Sequence, residues 1–316
     1  MIHQKQACRS AVGPERYQMV VSNSINYELE QAVLNLGIPP CPKILLAISA
    51  ESKVPEPDLQ KIEKLICADV ELSAALIKTV NSPFYGLRTK VHTVMQAIHM
   101  LGLSHLSLMV TGMVLREVLE GISTVDMGRF WDASSKVAII SSYIAGRLPY
   151  IAYEHVRRKI DKDEVYTYGL FQDCGIPIML NYHPEYKAVL AEANLASDRK
   201  FTDVEDVKYV NNHTMIGHML AKSWGLPESM IQAIRNHHEH AALAQDEDFL
   251  PEESRDFIAL ALLSERAIQM TSGLNQTCEW EKGGHWVMRH FGLSDTDFES
   301  IIKGIRTLSD EGNLSF

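Results

Sequence analysis

Apolar residues return every three or four positions along most of this chain, the spacing that lines one face of an α-helix. Leu59, Ile62, Leu65 and Ile66 form one stripe, and Leu72, Ala75, Leu76 and Val80 form the next. Polar residues in front of such stripes supply helix starts. Asp58 and Asp69 are placed to accept the free amides of a first turn. Thr93 with Gln96, and Thr202 with Glu205, have the spacing of a capping box, in which two side chains and two backbone amides satisfy each other. Gly102 fits a left-handed cap that closes the helix begun at Thr93. Ser104 opens a longer helix running toward Gly121, Thr271-Ser272-Gly273-Leu274 is a helix stop, and Ser294 caps a last helix through Ile305. No run alternates β-branched and polar residues between hairpin turns. The pattern predicts an all-α fold.

Organisation follows from where the stripes are interrupted. Residues 1–22 are polar without clear periodicity, residues 23–122 form an N-terminal helical part, and residues 123–316 form a second helical part. The break near 120–127 is marked by Gly121, Ser123 and Asp126. Gln245 to Asp256 is polar and predicts a surface loop between helices. The apolar stretch from Val137 to Ala145 carries Ser141 and Ser142 and falls short of the ~20 residues of a membrane span.

Charge and cysteine usage narrow the partners. The net charge of −10 argues against a broad nucleic-acid surface, which needs clustered Lys and Arg. Arg157-Arg158-Lys159 is the one basic cluster of note, and a solvated loop or helix end explains it. The five cysteines include no C-x-x-C pair, which suits a reduced chain in the cytoplasm with no membrane association. No nucleophile elbow, phosphate-binding loop or dinucleotide fingerprint appears. Trp131, Trp224, Trp280 and Trp286 are dispersed and suit a core or an interface.

The first half carries short motifs in a particular order. Leu36-Gly37-Ile38-Pro39-Pro40-Cys41-Pro42 leads into a helix, and Ile66-Cys67-Ala68-Asp69-Val70-Glu71-Leu72 follows. Then come Val80-Asn81-Ser82-Pro83-Phe84-Tyr85-Gly86 and Ala97-Ile98-His99-Met100-Leu101-Gly102. Proline restricts the residue before it, so Asn81-Ser82-Pro83 ends a helix, and Asn81 can donate and accept across the break. These motifs together resemble the HDOD domain, the HD-related output domain of bacterial signalling proteins, over roughly residues 30–270. The resemblance implies an HD-like multi-helix bundle with an N-terminal helical subdomain.

The second half resembles the HD superfamily of metal-dependent phosphohydrolases, which hold metal with a His, an adjacent His-Asp pair and a distant Asp. Set against that pattern, Ala133 stands in the place of the first His, Gln172-Asp173 in the place of the pair, and Glu265 near the place of the last Asp. His213 and the doublet His237-His238 match auxiliary histidine segments of a dinuclear subclass. A catalytic metal wants about three good ligands and an open position. Ala133 offers none, and the Gln172 carbonyl is a poor substitute for imidazole.

The resemblance therefore implies a non-enzymatic regulatory module with a remnant pocket of Asp173, His213, His237, His238 and Glu265. No cofactor is expected, and a weakly bound divalent ion at Asp173, His213 and one or both of His237 and His238 stays open. So does a simpler arrangement in which Asp173 and His213 form a buried hydrogen-bonded pair and the doublet lies near a helix end. Cys174 beside Asp173 is a thiol that could ligate but suits a small buried core residue better, and Gly175 and Pro177 suggest a helix bend that aims Asp173 into a pocket. Residues 1–30 and 271–316 are too short for a companion signalling domain, so the expected partners are signalling proteins in trans, with a homodimer left open. The alternatives are a phosphohydrolase of nucleotides or cyclic dinucleotides with a non-standard site, and a nucleotide sensor that does not cleave its ligand.

Overall fold

The structure, a computed structural model, describes residues 37–81, 89–152, 156, 158, 160–274 and 276–310. Residues 1–36, Arg157, Lys159 and the Ser82 to Gly86 part of the asparagine motif lie outside the described residues. All regular structure among the described residues is helical.

The first helices are α1 (Lys43–Ser52), α2 (Leu59–Cys67), α3 (Val70–Val80), α4 (Val94–Leu101) and α5 (Leu103–Ile122). Asp58 caps α2 by accepting from the Gln60 and Lys61 amides, and Asp69 caps α3 through the Leu72 amide. Thr93 and Gln96 form the complete box at the head of α4. Ile62 and Ile66, then Leu72, Leu76 and Val80, turn inward. Ala75 instead points to solvent. Gly102 has a positive φ of 79° but a ψ of 162°, so it is an extended joint rather than a left-handed cap. It hands the chain directly to α5, which starts at Leu103 without a side-chain cap. α5 is the mast of this half, touching α1, α3 and α4.

Asn81 closes α3. Its amide donates to the carbonyls of Ile77 (3.0 Å) and Val91 (2.6 Å), and its carbonyl accepts from the Val91 amide (2.8 Å). The side chain thus bridges the excursion from α3 to the approach to α4. Asn81→Ala is expected to cost about 2 kcal/mol, since three satisfied bonds go and backbone groups are left without partners. A lower urea midpoint at unchanged slope is the check.

The second half contains α6 (Gly128–Ile151), α7 (Lys162–Phe171), α8 (Gly175–Tyr182), α9 (Tyr186–Leu195), α10 (Phe201–Asp206) and α11 (His213–Ser223). It continues with α12 (Glu228–Asn236), α13 (His240–Gln245), α14 (Glu252–Ser272), α15 (Glu279–Phe291) and α16 (Asp295–Asp310). α6 lies along α7 and α14, with α5 packed on the other side of α7. Gly169 permits the closest approach there: a Cβ would lie 2.6 Å from the Ala138 Cα. Ser141 donates to the Ser264 hydroxyl at 2.9 Å and Ser142 to the Lys162 carbonyl at 2.6 Å, so the two serines pin α6 to its neighbours. No helix among the described residues is long and apolar enough to cross a membrane.

Two expectations are corrected. Thr202 does not cap a helix; α10 begins at Phe201, and the Asp203 carboxylate accepts from the Lys200 amide. Glu205, expected as the box partner, is fully buried and faces His213 and Tyr186. The loop expected through Asp256 ends at Pro251, where α14 begins. Arg255 and Asp256 are buried helical residues: Arg255 donates to the carbonyls of Leu243, Asp246 and Glu247, while Asp256 pairs with Arg158 and His290. Arg158 is therefore engaged with Asp256 and Glu252 rather than displayed as a solvated basic cluster.

Ser294 caps α16 as expected, in a reciprocal box with Asp297 that the sequence reading did not include, and the helix runs on to Asp310; Gly273 closes α14 in the left-handed conformation (φ 68°, ψ 8°). Trp131 and Trp286 are core residues.

Candidate metal centre

Gln172 and Asp173 sit at a corner. α7 ends at Phe171, the Cys174 amide donates to the Phe171 carbonyl, and α8 starts at Gly175. Pro177 lies in the first turn of α8, where its missing N–H costs no helical bond. The corner lets α8 press against the head of α11, so that Gly175 abuts the His213 carbonyl. Cys174 is buried there as a core residue. Asn212 caps α11 through the Met215 amide and places His213 as its first residue. His237 and His238 follow the last turn of α12.

These elements bring Asp173, His213, His237 and His238 to one point, with a ligand atom of each within 4.8 Å of the others. His213 Nε2 lies 3.4 Å from His237 Nε2 and 3.2 Å from His238 Nε2. Asp173 Oδ1 stands 3.4 Å from His237 Nε2 and 3.7 Å from His213 Nε2. The latter distance is too long for the Asp173–His213 hydrogen bond considered from sequence. Both members of the doublet take part, so they are not merely parked at a helix end.

The far nitrogen of every ring is occupied. His213 Nδ1 faces Glu205 Oε2 at 2.7 Å, His237 Nδ1 faces the Ile234 carbonyl at 2.9 Å, and His238 Nδ1 faces Glu279 Oε2 at 2.6 Å. An oxygen acceptor at Nδ1 assigns the proton there, so in the neutral rings all three Nε2 lone pairs point inward. Glu205 also accepts from the Tyr186 hydroxyl. Glu279 also faces His240 Nε2 at 2.8 Å and pairs with Lys282. Phe201 stacks on the His238 ring at 4.5 Å between centroids.

Electrostatics match this layout. Burial opposes ionisation of Asp173, but the hydrogen bond and charge of His237 hold its carboxyl down to about 2. Burial works against protonating His237, yet Asp173 raises its pKa above the usual imidazole value. His238 is pushed down to about 3, first by burial and then by the His237 charge. Burial would raise Glu205 and Glu279, but their histidine partners keep both below the ordinary carboxylate range.

The remaining positions behave differently. Gln172 Nε2 donates to Glu265 Oε1 at 2.8 Å and to Asp173 Oδ2 at 3.1 Å. Burial and the Asp173 charge push Glu265 up to about 8, with the Gln172 bond opposing. Glu265 thus belongs to the amide bridge and not to the histidine cluster, which removes it from the expected ligand pocket. Ala133, half-buried on α6, presents a methyl group.

The donor set fits a transition-metal ion. A tetrahedron with metal–nitrogen bonds of ~2.0–2.1 Å has edges of about 3.3 Å, against the observed 3.2 and 3.4 Å. Three imidazoles and a carboxylate suit zinc, with Asp173, 28% exposed, on the open side. Such an ion would supply the positive charge that the facing lone pairs and Asp173 call for. A second group, His105 with Asp161 (2.9 Å) and Asp163 (3.2 Å), ties α5 to the head of α7 and uses both ring nitrogens in doing so.

The sequence profile of the HDOD domain matches residues 38–240, more than half of the chain. The chain belongs to the HDOD domain family. A curated protein of Treponema pallidum (strain Nichols), itself uncharacterised, is 26% identical over 272 residues, covering 81% of this chain and 48% of the relative. The chain thus spans about half the length of that relative.

Two solved structures share the HDOD fold. An HDOD domain protein of unknown function from Geobacter sulfurreducens has a TM-score of 0.61 at 21% identity, covering 87% of this chain and 91% of the other. A Shewanella amazonensis SB2B protein, provisionally named a phosphohydrolase, has a TM-score of 0.62 at 18% identity, covering 90% and 95%. At these identities the likeness is one of fold. The HDOD match ends at residue 240, so Glu265 and Glu279 lie beyond it.

Sequence reasoning missed Glu205, Glu279, Tyr186 and His240. Glu205 was assigned to a cap, and Glu279 stands 41 residues beyond His238 with no motif around it. One further cavity, about 160 Å³, lies between α1, α5 and the Trp224–Pro227 segment. Ser49, Ser52, Ser104, Ser107 and Thr111 line it, but it falls short of the ~300–1,000 Å³ of ordinary ligand pockets.

Proposed function

We propose that this HDOD chain is a regulatory module of bacterial signalling that acts through contacts with other proteins and does not hydrolyse phosphodiesters. One observation carries the reading: the Gln172 amide stands between the Asp173 and Glu265 carboxylates, donating to both. In the HD hydrolases this neighbourhood is metal-binding. Here a neutral group with two N–H donors occupies the bridging role, and Ala133 supplies no ligand to compete with it. A carboxyl held near a pKa of 8 is largely protonated at neutral pH and offers little to a cation. Among the described residues the surviving histidines gather at one side, and the two donor groups there share His238, which supports one ion rather than the paired ions of a two-metal hydrolase.

The small hydroxyl-lined cavity gives no support to a nucleotide-sensor reading, and a thermal-shift panel of nucleotides and cyclic dinucleotides is expected to be flat. The direct test is turnover. The purified chain, supplied in turn with manganese, iron and zinc, is expected to leave bis-p-nitrophenyl phosphate and cyclic dinucleotides unchanged over blanks. Sustained cleavage that disappears in Asp173→Ala would overturn the reading.

A further inference from the structure

We propose that Glu205 and Glu279 are positioning residues that turn His213 and His238 toward His237 and Asp173, building a site for one zinc-type divalent cation. The assignment deepens the reading of this pocket as a non-hydrolytic remnant, because four protein ligands leave a tetrahedral ion no open position for water. Zinc turnover and zinc binding read out separately, so either claim can fail while the other stands.

Two imidazole nitrogens at 3.2 Å attract each other only if one carries a proton. Glu205 and Glu279 place that proton on the opposite nitrogen of His213 and His238, at 2.7 and 2.6 Å. Both carboxylates are buried, Glu205 fully and Glu279 to 4% exposure, although carboxylates rarely go inside unpaired. Each is held by a further donor: Tyr186 on Glu205, and His240 with Lys282 on Glu279.

Two separate segments, α10 and the head of α15, thus supply buried carboxylates whose shared geometric result is convergence of lone pairs on one point. In the neutral rings that arrangement sets like-polarity atoms together, and a cation among them takes the place of the proton that His237 otherwise holds beside Asp173. It also matches the carboxylate–histidine–metal relay by which proteins orient ligating imidazoles and raise their basicity.

The donor types select the ion. Three nitrogens with a single carboxylate favour zinc over magnesium or calcium, which prefer oxygen. The His213 edges to His237 and His238, 3.4 and 3.2 Å, suit tetrahedral bonds of ~2.0–2.1 Å to nitrogen, and the 3.7 Å edge from His213 to Asp173 is longer. Asp173, the partly exposed ligand, provides the entrance.

The full chain is stripped with a chelator, loaded with zinc and dialysed; one zinc per chain is expected by elemental analysis. Competition against a chromophoric chelator is expected to show Glu205→Gln and Glu279→Gln each weakening zinc by ~10–100-fold. Glu265→Gln is expected to stay within about twofold, and His105→Ala to leave the stoichiometry at one, which excludes the His105 group as the source.

A spectroscopic readout guards against variants that misfold. In the zinc-free native chain, ¹⁵N-histidine spectra are expected to show His213 and His238 as Nδ1–H tautomers. In each Glu→Gln variant the ring concerned is expected to show that preference weakened, since a neutral amide oxygen accepts less strongly than a carboxylate, while unfolding stays cooperative. Three results would each overturn the proposal: substoichiometric zinc in the native chain, undiminished affinity in both variants, or Nε2–H tautomers in the native chain.

Discussion

Gly175→Ala is expected to destabilise the chain by about 3 kcal/mol and to weaken any ion held at the histidine cluster. A Cβ at this position would lie 2.0 Å from the His213 carbonyl oxygen, 2.8 Å from its carbon and 3.0 Å from the Gly217 amide nitrogen. All three atoms are backbone, so no rotamer change relieves the clash. Overpacking usually costs ~1–3 kcal/mol, and a backbone-on-backbone contact belongs at the upper end.

The consequence reaches the site through α8. Gly175 is the second residue after Asp173, and the carbonyl it would strike belongs to His213 itself. Separating α8 from α11 therefore separates two members of the donor set. Gly217 on α11 faces the same crossing, with its missing Cβ 3.3 Å from the Cys174 sulfur. The measurement is a urea unfolding curve, with Gly146→Ala as the control. Gly146 is exposed on α6 with nothing within 4 Å of an added Cβ, so alanine there should stabilise by roughly 0.5–1 kcal/mol. A Gly175→Ala protein as stable as the native chain would mean that the α8–α11 crossing has room for a methyl group.

What could be read from sequence divides along a physical line. Asp58, Asp69, Thr93 and Ser294 were legible because a cap involves only residues three positions apart. Thr202 misled for the same reason. Its partner Glu205 satisfied the local pattern, but two long-range partners, His213 and Tyr186, outcompete the cap. Arg255 and Asp256 looked like loop residues because charge usually marks surface. Their burial depends on Arg158 and His290, which sequence spacing does not place nearby.

At the site, Asp173, His213, His237 and His238 could be gathered on family resemblance, since each sits in a recognisable segment. Glu279 could not, because it reaches His238 from a helix beyond the matched region and carries no motif. Glu265 was assigned to the wrong group. Its position in sequence fits a ligand, but its bond to Gln172 exists only once α7 and α14 are side by side.

That bond gives the second large expectation. In metal-free protein, Glu265→Gln should leave stability unchanged near pH 4 and raise it by about 2 kcal/mol at pH 8.5 relative to the native chain. Burial and the Asp173 charge lift the folded-state Glu265 pKa to about 8, while the unfolded value is ~4.3. Between these values the folded chain keeps a proton that the unfolded chain has released. Stability contributed by the protonated carboxyl is therefore fully present below about 4.3 and is lost as pH rises through 8.

At about 1.4 kcal/mol per unit, the whole shift would amount to ~5 kcal/mol; partial exposure and solvent screening bring the expected figure to about 2. Glutamine removes the titration and keeps an oxygen to accept from Gln172. The other shifted groups of the site, Asp173, His237 and His238, remain in both proteins, so their contributions largely cancel in the difference. Urea midpoints of the two proteins at half-unit pH steps measure it. If the two curves run parallel from pH 4 to 8.5, Glu265 titrates as it does in the unfolded chain and is ionised above about 4.3. Gln172 would then lie between two charged carboxylates, and the position would again be open to a cation.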